Sequence, residues 1–150
     1  MKEYGIYLNG EEKMFDWKKP TTQMLGRWQP WHDGHTGLFK KCLLETGQVC
    51  IQIRDVGGIV GKDAGQNRTT TKQDDNPFDL ETVKTNIINA LDAEGFVYNQ
   101  DYIIMQVPNI VDISYGRGVG YTFTQHDLGE DIHNISATKI RAQLRAEGKL

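Results

Sequence analysis

Apolar and polar positions along the chain fall into short blocks whose spacing alternates between strand and helix periods. Residues 21–25 end in Met24 and Leu25 and read as a first core strand. Residues 36–45 then place Leu38, Phe39, Cys42 and Leu43 on one face of a helix. Residues 48–54 alternate Val49, Ile51 and Ile53 with other side chains, which is strand spacing again. Strand, helix and strand in such quick succession form a βαβ unit, which predicts a parallel sheet with a right-handed crossover. A second helix is expected over residues 79–93, with Val83, Ile87, Ile88 and Leu91 inward, and a third strand over residues 102–107, stopped by Pro108. Residues 109–114 read as a further short extended segment, and residues 122–125 as a fourth or fifth strand. Near the C-terminus Ser136 is a plausible cap for a helix carrying Ile140 and Leu144 at i, i+4.

Two stretches stand outside this alternation. Residues 1–20 flank Asn9-Gly10, a strong hairpin-turn signal, and are expected to add a small accessory β-hairpin. Residues 57–75 are polar and glycine-bearing and lack core-forming positions. They read either as a mobile loop bringing Lys62, Arg68 or Lys72 to phosphates, or as a surface insertion. No linker splits the chain, so residues 1–150 are expected to form one domain.

Composition narrows the partners. A hydrophobic content of 38% and a charged content of 25% suit a globular chain. The net charge of −3 provides no broad footprint for a nucleic-acid duplex. No apolar run is long enough to span a membrane, and the first residues lack a signal-peptide core. Cys42 and Cys50 sit in apolar patterns and are expected as buried free thiols, which suits a cytoplasmic protein.

The candidate chemistry gathers in the turn after the first strand. Gly26-Arg27-Trp28-Gln29-Pro30-Trp31-His32-Asp33-Gly34-His35 holds two histidines spaced H-x-G-H just before a helix. Free amides and the positive end of the helix dipole make such a turn a ready anion site. The imidazoles would donate hydrogen bonds to phosphoryl oxygens, more strongly when protonated, and Gly34 lets backbone approach a ligand. A short motif of this kind is equally compatible with two surface histidines. A second cluster, Ser136, Thr138, Lys139 and Arg141, lies at the start of the last helix. Arg54 ends the second strand at the edge where ligands of parallel sheets bind, and is a candidate phosphate or substrate ligand. Arg117 lies in a glycine-rich stretch, residues 115–121, suited to passing a base or phosphate. Lys40 and Lys41 on the first helix are further candidates, whereas His126 and His133 lie among acids and read as solvated.

Taken together, the stretch from Gly26 to His35 and Ile135-Ser136-Ala137-Thr138-Lys139-Ile140-Arg141 resemble the HxGH-type, cytidylyltransferase-like nucleotidyltransferase superfamily. The long first signature, followed by Asn76-Pro77-Phe78, is most similar to archaeal-type nicotinamide-mononucleotide adenylyltransferases. Val83-Lys84 departs from that pattern where the family carries an arginine. The short chain and its Ile135 to Ile140 signature also resemble cytidylyltransferases acting on glycerol 3-phosphate.

The resemblance implies a Rossmann-like α/β fold, with a parallel sheet of about five strands and helices on both faces. It implies transfer of an adenylyl group from ATP to a phosphorylated acceptor, nicotinamide mononucleotide favoured, with pyrophosphate released. The alternatives are cytidylyl transfer and a non-catalytic nucleotide-binding module. His32 and His35 would meet the α- and β-phosphoryl oxygens, and Arg141 the leaving charge. Gly26, Arg27, Gln29, Gly34, Ser136, Thr138 and Arg117 would line the nucleotide site, with Arg54 and Lys41 toward the acceptor. Mg²⁺ would travel with the nucleotide rather than in a protein cage. The implied partners are the triphosphate and a small phosphorylated acceptor, with neither nucleic acid nor membrane, and a homo-oligomer is compatible.

Overall fold

The computed structural model describes residues 14–56, 76–118, 120–129 and 137–149. Its elements are β1 (Thr22–Gly26), α1 (Asp33–Thr46), β2 (Val49–Arg54), α2 (Leu80–Ala93), β3 (Tyr102–Val107) and α3 (Ala137–Ala146). The strands form one parallel sheet in the order β1-β2-β3, with Thr22 beside Val49 and Val49 beside Tyr102. The chain is therefore an α/β protein.

Strand order and crossover hand together decide where the helices go. Two right-handed crossovers stepping the same way across a sheet place both helices on the same side. The register confirms this. Val49, Ile51 and Ile53 point to the face shared with Met24 and Tyr102, and all five are buried with Phe39 and Cys42 of α1 and Val83, Ile87 and Leu91 of α2. Each such side chain removed from water contributes on the order of 1.5–3 kcal/mol. The opposite face carries Leu25, Cys50 and Met105, all half-buried, and an exposed Gln23 bonded to Gln52 at 2.6 Å.

One expectation is corrected here. The sheet has three strands among the described residues rather than about five, because residues 109–114 and 122–125 run as irregular chain and join no described strand. Of the helices, α1 and α2 share one face of the sheet. Residues 1–13 of the expected hairpin and the 57–75 loop lie outside the described residues. Residues 14–20 turn below the sheet, where Gln48 holds them through its side-chain bonds to the Asp16 backbone at 3.1 and 2.6 Å.

Local signals account for the helix boundaries. Gly47 ends α1 at φ 84°, a left-handed cap that glycine adopts without a Cβ penalty, and its N–H returns to the Leu43 carbonyl at 2.7 Å. Asp79 opens α2 by accepting from the Thr82 N–H at 2.8 Å. Among the described residues, no helix is long and apolar enough to cross a membrane.

Candidate functional site

The H-x-G-H turn leaves the carboxyl end of β1, and its histidines do more than decorate a helix start. His32 is the N-cap of α1, and its Nδ1 accepts from the Gly34 N–H at 3.0 Å. His35, three residues on, accepts the His32 N–H on its own Nδ1 at 3.1 Å. This is a capping box built from two imidazoles in place of the usual hydroxyl and carboxamide. With Nδ1 occupied as an acceptor, each neutral ring carries its proton on Nε2.

The rings are also crowded. His35 stacks on His32 at 3.6 Å between centroids and meets Trp28 edge-on at 4.8 Å and Trp31 at 5.4 Å. Burial pushes His35 down to about 3, with the neighbouring His32 lowering it further. His32 is lowered too, by burial, with Asp33 partly opposing. Both rings are thus neutral donors near pH 7, not the cations that the sequence suggested would donate most strongly.

Stability should report this directly. Below the ordinary histidine value of 6.5 the unfolded chain takes up a proton at His35 that the folded chain refuses until about 3. Stability is therefore complete above pH 6.5 and declines as pH falls toward 3. Urea unfolding should show a loss of about 2 kcal/mol from this residue between pH 7.5 and pH 5. A His35→Gln variant with the same pH slope would remove His35 as its source.

Around the turn, side chains fasten distant segments to it. Gln29 is 5% exposed, and its amide bonds reciprocally with Phe78: Nε2 to the carbonyl and Oε1 from the N–H, both at 2.9 Å. Both heteroatoms of Gln29 are thereby engaged with protein backbone. Arg27 Nη1 donates to Asn76 Oδ1 at 2.9 Å, so Asn76-Pro77-Phe78 is tied to the turn at both ends. From the C-terminal helix, Arg141 is 3% exposed and donates from Nη1 to the Gln29 carbonyl at 2.7 Å and from Nη2 to Thr138 Oγ1 at 3.3 Å. The two signatures thus meet, 112 residues apart in the chain. Replacing Gln29 with alanine should cost about 2 kcal/mol in a urea titration, because the Phe78 N–H and carbonyl lose their partners. An unchanged midpoint would show that the segment does not depend on Gln29.

Beside the turn lies a cleft of about 380 Å³ at the carboxyl ends of β1 and β2, with Gly26, Arg27 and Arg54 among its lining residues. Arg54 is buried and donates from Nη2 to Asn109 Oδ1 at 2.8 Å. Gly34 is buried in the first turn of α1. Thr138 is exposed at the start of α3, and Ser136 lies outside the described residues. Arg117 is exposed and does not line the cleft, and Lys41 is exposed on α1. His126 is half-buried, and His133 lies outside the described residues. Among the described residues no three His, Cys, Asp or Glu side chains gather to hold a metal ion.

Sequence reasoning missed Asn109 as part of the site, and held Trp28, Trp31 and Asn76 only as members of the quoted signatures, with no role assigned. Trp28 adopts φ 56°, unusual for a bulky residue, with its indole N–H donating to the Gln52 carbonyl at 2.9 Å. Asn109 carries no local signal, since it meets Arg54 only across the fold.

No protein-family model matches the chain, and no curated protein matches it. Among solved structures it is similar to a bifunctional NMN adenylyltransferase/ADP ribose pyrophosphatase from Francisella tularensis, complexed with AMP and a manganese ion. The TM-score is 0.46 at 22% identity, and the match covers 60% of this chain and 23% of that one.

Proposed function

We propose that this chain is a nucleotidyltransferase moving an adenylyl group from ATP to a phosphorylated acceptor, nicotinamide mononucleotide being favoured. The observation that carries the reading is the imidazole capping box. It spends both Nδ1 atoms on backbone amides and leaves two Nε2–H donors beside a helix N-terminus at the carboxyl end of β1. A merely structural cap needs only one short polar side chain.

In this mechanism an acceptor phosphate oxygen forms a bond to the α-phosphorus in line. The bond from that phosphorus to the β-bridging oxygen breaks, and pyrophosphate leaves with its charge. Such chemistry is mainly positioning and charge stabilisation. His32 and His35 donate to the α- and β-phosphoryl oxygens as neutral imidazoles. Ser136, Thr138 and the start of α3 receive the β- and γ-phosphates. Arg141, bonded to the Gln29 carbonyl, holds that helix start against the histidine turn and places a buried positive charge near the leaving group. Mg²⁺ bound with the triphosphate would add positive charge against the charge developing on the phosphates.

The test is pyrophosphate release with ATP and with CTP against nicotinamide mononucleotide, phosphopantetheine and glycerol 3-phosphate. Release with ATP and nicotinamide mononucleotide is the expected result. Release only with CTP would make the chain a cytidylyltransferase, and nucleotide binding without release from any pair would make it a binding module.

A further inference from the structure

The carboxyl edge of the sheet carries a second cationic centre that the histidine turn does not use. Arg54 closes β2, is 5% exposed, and lines the cleft. Its Nη2 is oriented by the neutral amide of Asn109, while its Nε is buried with no hydrogen-bond partner among the described residues. A neutral amide aims a guanidinium without compensating its charge. A buried donor left unmade is costly, and a buried cation more so, unless an anion answers it. Burial depresses the Arg54 pKa, and the positive charge of Arg27 depresses it further, so a phosphate in the cleft would meet two neighbouring guanidinium groups.

The wall above the arginines is different in kind. Ile110, Val111, Ile113 and Phe123 line it. Phe123 is 62% exposed and stacks on Tyr115 at 5.3 Å, leaving apolar ring surface at the mouth of the cleft. Asp112 also lines the cleft, exposed and accepting from the Ser114 hydroxyl. A purely electrostatic anion site would not need an aliphatic and aromatic wall of this extent. Ligand clefts commonly pair such a wall with a few convergent polar groups.

We infer that this cleft is an oxyanion subsite for a phosphate carried on a flat apolar body, an aryl or heterocyclic phosphate rather than a small polyol phosphate. Arg54, with Arg27 beside it, takes the phosphate, and Ile113 and Phe123 take the body. The ligand's role as acceptor rests on the nucleotidyltransferase reading, whereas the binding chemistry does not.

Calorimetric titration of the full chain without nucleotide tests the inference, using phenyl phosphate and glycerol 3-phosphate as probes. Phenyl phosphate should bind about tenfold more tightly, the scale of one aromatic contact with its apolar burial. Arg54→Gln should weaken both probes by about tenfold or more, and Arg54→Lys should recover part of the loss. Phe123→Ala, at an exposed position, should remove most of the preference for phenyl phosphate and leave glycerol 3-phosphate unchanged. Equal affinities for the two probes, or full binding by Arg54→Gln, would overturn the inference. Loss of binding in His35→Gln would also overturn it, by placing the anion at the histidine turn. Pyrophosphate release is not read in this experiment, so failure of the transfer reaction and failure of the subsite are separately visible.

Discussion

Replacing His35 with alanine is expected to lower kcat by roughly 10²–10³-fold with a modest change in KM, the scale for removing one preorganised transition-state donor. The Nε2–H of His35 cannot be replaced by water at equal effect, because stacking on His32 and the edge-on Trp28 fix its direction before substrate arrives. Alanine also deletes the acceptor for the His32 N–H, so part of any loss would come from fraying of α1. That part is on the order of 0.5–2 kcal/mol for a lost cap.

His35→Gln separates the two effects. Glutamine is a usual residue at this third helical position, where its carboxamide reaches back to the N-cap N–H. The variant should regain most of the urea stability that alanine loses while remaining catalytically slow. Near-parental activity in His35→Ala would dismiss the histidine from the reaction. Full recovery of rate in His35→Gln would reduce its part to capping alone.

What the sequence could disclose was local. The spacing of Met24, Phe39, Val49, Ile51, Val83, Ile87 and Tyr102 located three strands and two helices to within a few residues, because burial of one face imposes a period on nearby positions. The start of α1 was placed at residue 36 rather than Asp33, since capping rules look for a hydroxyl, carboxylate or carboxamide, and here a histidine caps. The fourth and fifth strands failed for a related reason. Extended-looking composition in residues 109–114 and 122–125 says nothing about whether a neighbour offers a hydrogen-bond ladder. Contacts within the site were least legible. Gln29 reads as a polar ligand in a motif, but its amide meets Phe78, 49 residues away. Arg54 is oriented by Asn109, 55 residues away, with no local pattern to announce it. These pairings exist because a parallel sheet returns every strand to the same edge, so side chains far apart in sequence converge there.

That convergence makes Gly26 the most sensitive small residue near the turn. A Cβ at this position would lie 2.8 Å from Trp28 Cζ2 and 2.9 Å from Cε2, inside the contact limit of a rigid indole that is 7% exposed. Glycine is required here for close approach. Gly26→Ala should force the indole away, stretching its bond to the Gln52 carbonyl and opening the wall beside His35. Overpacking costs about 1–3 kcal/mol and the weakened hydrogen bond about 1 more, so a total of about 2–4 kcal/mol is expected in urea unfolding. Opening that wall should also raise the His35 pKa toward its ordinary value, making the low-pH loss of stability shallower than in the parent. The cause can be isolated with Trp28→Leu, which removes the ring that the new methyl would strike. In that background Gly26→Ala should cost well under 1 kcal/mol, a strongly non-additive pair of the kind found for residues in contact. Equal costs in the two backgrounds would mean that the collision with Trp28 is not what excludes a side chain from position 26.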